Sequence, residues 1–291
     1  MYSASYLTVV YDAFPPSPGG TVIDEKIDGM TIPAIGLGTM RQHGEHCRSL
    51  VEAALAAGYR HLDTARKYGN EEDVGAGLQR SAVHRDDVLV TTKLTQLELE
   101  PSQVRSATQQ SLQRLGTDHV DLLLIHWPSP DVPLEDTLGA LMQLRDEGLT
   151  RFVGVANFPS TMLSRAVELA DVATNQVEFH PYLAQQRVLA TCRDNGVVLT
   201  AYCPLGRGNL VDDPVLGEIA AAHSRTAAQV ALRWLVQQPG VVAIPGTSSP
   251  DHLGENLAVH DFALSDDEME AIAALERGER VVNPDHAPQW D

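Results

Sequence analysis

The sequence predicts an α/β fold: a single (β/α)8 barrel with an N-terminal β-hairpin and extra helices near the C-terminus. Three observations lead there. Eight short aliphatic or β-branched runs recur along the chain, helical patterns stand between them, and the runs are apolar at their centres, as strands buried on both faces of a parallel sheet are. An open doubly wound sheet would have fewer strands and a glycine-rich first turn, which "IGLGT" resembles only superficially. At 291 residues the chain is long enough for one such barrel.

Residues 1–20, "MYSASYLTVVYDAFPPSPGG", have neither a cationic start nor a clean apolar stretch and read as a flexible tail, leaving 21–291 as the barrel domain. "TVIDEKIDGMTI" carries a hairpin signal with Asp28-Gly29 at its turn. The strands follow as "IPAIGLGT", "YRHLDTA", "VLVTTK", "VDLLLIHW", "RFVGVAN", "TNQVEF", "VVLTAYC" and "VVAIPG". Between them, "CRSLVEAALAAG" sets Leu50, Ala53, Ala54 and Ala57 on one helical face, while "PSQVRSATQQSLQRLG" and "PLEDTLGALMQLRDEG" start at Pro and stop at Gly. "PVLGEIAAAHSR", running on into "TAAQVALRWLVQQ", and "SDDEMEAIAALER" exceed one helix per strand and are expected as insertions or C-terminal additions.

A formal charge of −18 opposes phosphate backbones and anionic lipid, and no apolar run approaches the ~20 residues that cross a bilayer. Neither nucleic acid nor membrane is an expected partner. Cys47, Cys192 and Cys203 are odd in number and lack CxxC spacing, which fits free thiols in a reducing, cytoplasmic setting. No HxH or HExxH spacing suggests a metal.

In such barrels chemistry sits at the C-terminal strand ends. Those ends supply Asp63, Lys93, His126 with Trp127, Asn157, Gln176 with Glu178, Tyr202 and Gly246, and Tyr68 follows Asp63 in its loop. A lysine ammonium beside a phenol favours the phenolate and is expected to lower the Tyr68 pKa; Asp63 would keep Lys93 charged, and His126 would bond a substrate oxygen. Asn157, Gln176 and the Tyr202 ring suit a nicotinamide, which would provide the hydride. Taken singly, each residue has a structural explanation, such as helix capping by Asp63. His43, His46 and His84 read as surface, and His180 as either pocket-lining or structural.

"GYRHLDTARKYGNEEDVG", "LLIHWPSP", "GVANF", "NQVEFHPY", "AYCPLGRG" and "IPGTSSPDHLGEN" together resemble the aldo-keto reductase family over residues 21 to 291, and the ending "APQWD" resembles its 2,5-diketo-D-gluconate reductase branch. The resemblance implies a TIM-barrel, NAD(P)H-dependent carbonyl reductase acting as a monomer on a small-molecule aldehyde or ketone. Asp63, Tyr68, Lys93 and His126 fall where the family keeps its catalytic four. It implies cofactor contacts at Asn157, Gln176, Tyr202, Leu205, Gly206, Gly246, Thr247, Ser248, His252, Glu255 and Asn256, and a substrate pocket at Met40, Trp127 and Trp290.

Two positions depart from the family pattern. Ala156 stands for a serine that bonds the carboxamide, a loss of about 0.5 to 1.5 kcal/mol. Gly246 and His252 stand where relatives use lysine and arginine to grip the 2′-phosphate, each bond being worth roughly 1.5 to 3 kcal/mol. NADPH is the expected coenzyme, with NADH admitted by those two replacements. Two alternatives remain: a coenzyme-binding barrel with a regulatory or sensor role, and a lyase using Lys93 as a Schiff-base nucleophile.

Overall fold

A computed structural model of the chain describes residues 25–27 and 30–291. The 1–20 tail and the Asp28-Gly29 turn lie outside the described residues. Strands β1 (Glu25–Ile27) and β2 (Met30–Ile32) pair antiparallel, so the hairpin is present.

Eight parallel strands follow in sequential order: β3 (Leu37–Gly38), β4 (His61–Asp63), β5 (Leu89–Leu94), β6 (Val120–Ile125), β7 (Thr150–Ala156), β8 (Val172–Glu178), β9 (Val198–Tyr202) and β10 (Val241–Ala243). Parallel bridges Ile35–Ala243 and Gly38–Gly246 join first to last and close the sheet into a barrel. The seam allows no side chain at residue 38, because a Cβ there would lie 2.7 Å from the Ile244 carbonyl oxygen.

Helices α1 (Gly44–Ala57), α2 (Glu71–Arg80), α3 (Pro101–Leu115), α4 (Leu134–Asp146), α5 (Ser160–Leu169) and α6 (Gln186–Asp194) follow the first six barrel strands in turn. Helix α7 (Pro214–His223) is inserted before α8 (Ala227–Val236), α9 (Asp251–Leu257) follows β10, and α10 (Asp266–Ala273) is additional, as the surplus helical patterns require. Pro214 opens α7, where its missing N–H costs nothing, and Gly116 closes α3 in a left-handed conformation.

The apolar residues separate into two layers. The larger joins the outward faces of the strands to the helices, with Leu50, Val51, Ala54 and Leu55 of α1 among its members. The smaller fills the barrel's lower interior, where Ile32 of the hairpin meets Leu89, Leu122, Leu124, Val198 and Val242. The lower mouth is therefore packed shut, and polar residues collect at the other end.

Candidate active site

Alternation along a strand sends His61 and Asp63 of β4, and Thr91 and Lys93 of β5, to the same side. Lys93 Nζ lies 2.5 Å from Asp63 Oδ1 and 2.9 Å from the Thr64 carbonyl oxygen. Its third contact is Tyr68, whose hydroxyl is 3.5 Å away. The second oxygen of Asp63 accepts from Gln176 Nε2 at 2.7 Å, so β8 helps to hold the carboxylate. Tyr68 meets the His126 ring edge-on, with centroids 5.7 Å apart. Four residues, from β4, β5, the loop after β4 and the residue that follows β6, thus converge.

Tyr68 is held by a short 3-10 turn, Arg66–Tyr68, closed by left-handed Gly69. Arg66 pairs with Glu98 at 2.6 Å and donates to the Ala107 carbonyl, which lashes the turn to α3 and the segment before it. Asn70, fully buried, bonds Thr64, Thr39 and Gln42 and anchors the same loop from the other side.

The electrostatics correct one expectation. Burial, then the Asp63 charge, push the Tyr68 phenol well above its ordinary pKa. Burial is the larger cause, and the Asp63 carboxylate, 2.5 Å from Lys93, offsets part of the ammonium's pull on the hydroxyl. Burial also lowers Lys93, with Asp63 opposing. Burial, reinforced by Lys93, Lys67 and His286, holds His126 well below the ordinary imidazole range, so the ring is neutral at pH 7. His126 Nδ1 is buried without a partner, which favours the tautomer with its proton on Nε2.

Above these residues lies a cavity of about 870 Å³. Every barrel strand except β5 sends a residue or its following loop to the wall, and Lys93 of β5 lies fully buried beneath. Met40 and Trp127 line it as expected, and so does His43, which the sequence reading had placed on the plain surface. Trp290 stands one layer back, its ring 6.0 Å from that of Trp127.

The residues expected to contact the coenzyme divide in the same way. Asn157, Gln176, Tyr202, Leu205, Gly246, Thr247 and Ser248 line the cavity. Gly206 is buried, His252 and Glu255 are exposed on α9, and Asn256 is buried. His252 Nδ1 lies 3.2 Å from the Thr247 hydroxyl. Asn157 adopts a left-handed backbone (φ 64°), a conformation asparagine tolerates, and this turns the chain inward after β7. Its amide donates to the His126 carbonyl oxygen at 2.9 Å and accepts from the Tyr202 hydroxyl at 2.8 Å. Gln176 lines the wall with its Nε2 committed to Asp63. Two amide side chains, an aromatic ring and a cavity of this volume are chemically compatible with a nicotinamide dinucleotide.

Other polar groups escaped the sequence reading. Glu71, at the start of α2, is fully buried, accepts from Thr92 at 2.6 Å and pairs with Arg114 at 2.6 Å. Nothing local in "GNEEDVG" distinguishes it from Glu72, because its partners come from 21 and 43 residues away. His180 resolves as structural: it is fully buried and 3.0 Å from Glu178.

Comparison with known proteins completes the site. A family model described as the aldo/keto reductase family matches residues 34–277. The methylglyoxal reductase DkgB of Escherichia coli O157:H7 is 40% identical over 268 residues, covering 90% of this chain and all of the relative. An aldo-keto reductase of Mycolicibacterium smegmatis is 41% identical over 257 residues, covering 87% of this chain and 93% of the relative. A crystal structure assigned as a 2,5-diketo-D-gluconic acid reductase B superposes with TM-score 0.89 at 46% identity, covering 91% of this chain and 95% of that one.

Proposed function

Because the chain belongs to the aldo/keto reductase family, we propose that it reduces small aldehydes and ketones with NAD(P)H, with Tyr68 as the proton donor. The observation that carries this reading is the line Asp63, Lys93, Tyr68, with contacts of 2.5 and 3.5 Å, ending at a cavity floor beside neutral His126.

The bound coenzyme would supply hydride to the carbonyl carbon. Tyr68 holds its proton at neutral pH, because burial disfavours phenolate, and releases it as negative charge builds on the substrate oxygen. Lys93 stabilises the phenolate that this transfer creates. Asp63 and Gln176 fix the ammonium's position, and His126 donates one hydrogen bond that orients the carbonyl oxygen. Asn157, Gln176 and Tyr202 would hold the nicotinamide, with Leu205, Gly206 and Gly246 along its path. Thr247, Ser248, His252, Glu255 and Asn256 would hold the adenosine end.

NADPH is the proposed coenzyme, and the hydroxyls of Thr247 and Ser248 stand in for the missing lysine and arginine. A cytoplasmic monomer is the accompanying proposal. Burial of Lys93 beneath Tyr68, with Asp63 and the Thr64 carbonyl as acceptors, argues against a Schiff-base nucleophile.

The test is oxidation of NADPH and NADH, followed by absorbance, with methylglyoxal, phenylglyoxal and a simple ketone. Turnover with at least one pair is expected. Tight coenzyme binding without turnover would replace this reading with that of a sensor, and borohydride trapping of substrate on Lys93 would replace it with a lyase.

A further inference from the structure

Downstream of α10, residues 276–284 run across the upper barrel mouth without regular secondary structure, and Val281, Val282, Asn283 and Pro284 form part of the cavity wall. A segment with no ladder of its own must be held by something else. Its attachments are concentrated on the β8 end and the loop that follows. Glu178, the last residue of β8, is fully buried, and its carboxylate receives three donors. Oε1 accepts from the Val281 amide at 2.7 Å and from His180 Nε2 at 3.0 Å, while Oε2 accepts from the Val282 amide at 2.7 Å. The His180 Nδ1 on the far side of the ring is buried without a partner.

The loop after β8 continues the attachment. The Tyr182 carbonyl accepts from the Glu279 amide at 3.0 Å, and the Arg277 guanidinium lies 3.4 Å from the centre of the Tyr182 ring. Gln185, held at φ 38°, donates to the Glu178 carbonyl at 2.5 Å and accepts from Arg280 at 3.2 Å. Among the described residues, Glu178 alone accepts from consecutive amides of the wall itself.

Glu178 stands two residues after Gln176, whose amide holds the far oxygen of Asp63. One strand therefore fixes two things at once: the carboxylate under Lys93 and the wall that a carbonyl substrate would touch. We propose that Glu178 is a positioning residue, whose buried carboxylate sets the distance between the 281–284 wall and the Tyr68 hydroxyl and thereby sets which carbonyl substrates fit. This rests on the cavity being the site of carbonyl reduction, as proposed above.

Two readouts test it, one independent of turnover. In amide hydrogen exchange, Val281 and Val282 of the wild type exchange at least about tenfold more slowly than Asp285 and His286, which lack such an acceptor. In Glu178→Gln, where one amide faces an NH2 group instead of an oxygen, their exchange accelerates at least tenfold while that of β5 amides is unchanged. In steady-state reduction, Glu178→Gln raises KM for phenylglyoxal about tenfold and KM for methylglyoxal less than threefold, with kcat for methylglyoxal within threefold; Glu178→Asp falls between variant and wild type. Equal KM changes for both substrates, or unchanged exchange at Val281 and Val282 in the folded variant, would overturn the proposal. Should Glu178→Gln not fold, Val282→Pro deletes one donor and leaves the carboxylate in place, and the same KM split is expected of it. A wild type that reduces neither substrate refutes the carbonyl-reductase reading, while the exchange result stands by itself.

Discussion

Two buried carboxylates mark the two ends of the barrel and are treated in opposite ways. Asp121, at the start of β6, receives the Val90 amide at 2.9 Å, Arg85 at 2.9 Å and Arg151 at 3.0 Å. The guanidinium groups are partly exposed, at 20% and 53%, so their charges stay hydrated. Asp63, at the end of β4, has one cation, Lys93, and neither partner touches solvent appreciably, at 2% and 0%. The lower site is saturated and has nothing left to offer. The upper site keeps a donor in hand, and that donor points at a phenol on a cavity floor. A charge pair does chemistry when it is left incomplete beside space, and it only rivets when it is complete beside water.

The sharpest break of that comparison is Tyr68→Phe, which removes the group the upper pair serves. Reduction should fall by about 10² to 10⁴, the range for a lost general acid, with coenzyme affinity within about threefold. Steady-state kinetics and fluorescence titration give both numbers. Lys93→Met comes next: it leaves Asp63 buried without its cation and should cost about 3 to 5 kcal/mol of unfolding free energy in urea, besides activity. A loss under 1 kcal/mol would mean that the upper pair is no more exposed to risk than the lower.

Between the ends sits His61, buried in the barrel interior with Nε2 3.0 Å from Thr91. Burial, ahead of all other influences, depresses its pKa from 6.5 to about 4. The unfolded chain takes up a proton below 6.5 and the folded chain resists until about 4. Stability is therefore full above 6.5 and declines as pH falls through that window, by roughly 3 kcal/mol in total. Urea titrations at pH 7 and pH 4.5 should show the decline, and His61→Gln should flatten a large part of it. The smallest effect belongs to the lower end: Asp121→Asn should cost about 1 to 3 kcal/mol in the same titrations, and kcat should stay within twofold.

The upper site was legible in the sequence to the degree that its parts were local. Each barrel strand is a short apolar run, so the eight strands and the polar residue closing each could be read off directly, and Asp63, Lys93 and His126 followed. The surplus helices were equally plain. What could not be read depended on partners far along the chain. Arg66 is pinned to Glu98, 32 residues on. Gln176, expected to serve a nicotinamide, also holds Asp63, 113 residues back. The direction of the Tyr68 shift went against expectation because the phenol is buried and the Asp63 charge lies near it, neither of which the loop's own residues disclose. His43, read from its polar surroundings as mere surface, lines the cavity because left-handed Arg41 and Gly44 bend its loop over the mouth.

One glycine carries a further consequence. The barrel's first strand has two residues and its last has three, and few rungs span the gap between them. Gly38 lets the two backbones touch there, so the upper rung of the seam depends on a hydrogen atom in place of a methyl group. Of all the staves, these two are the ones a single carbon would prise apart.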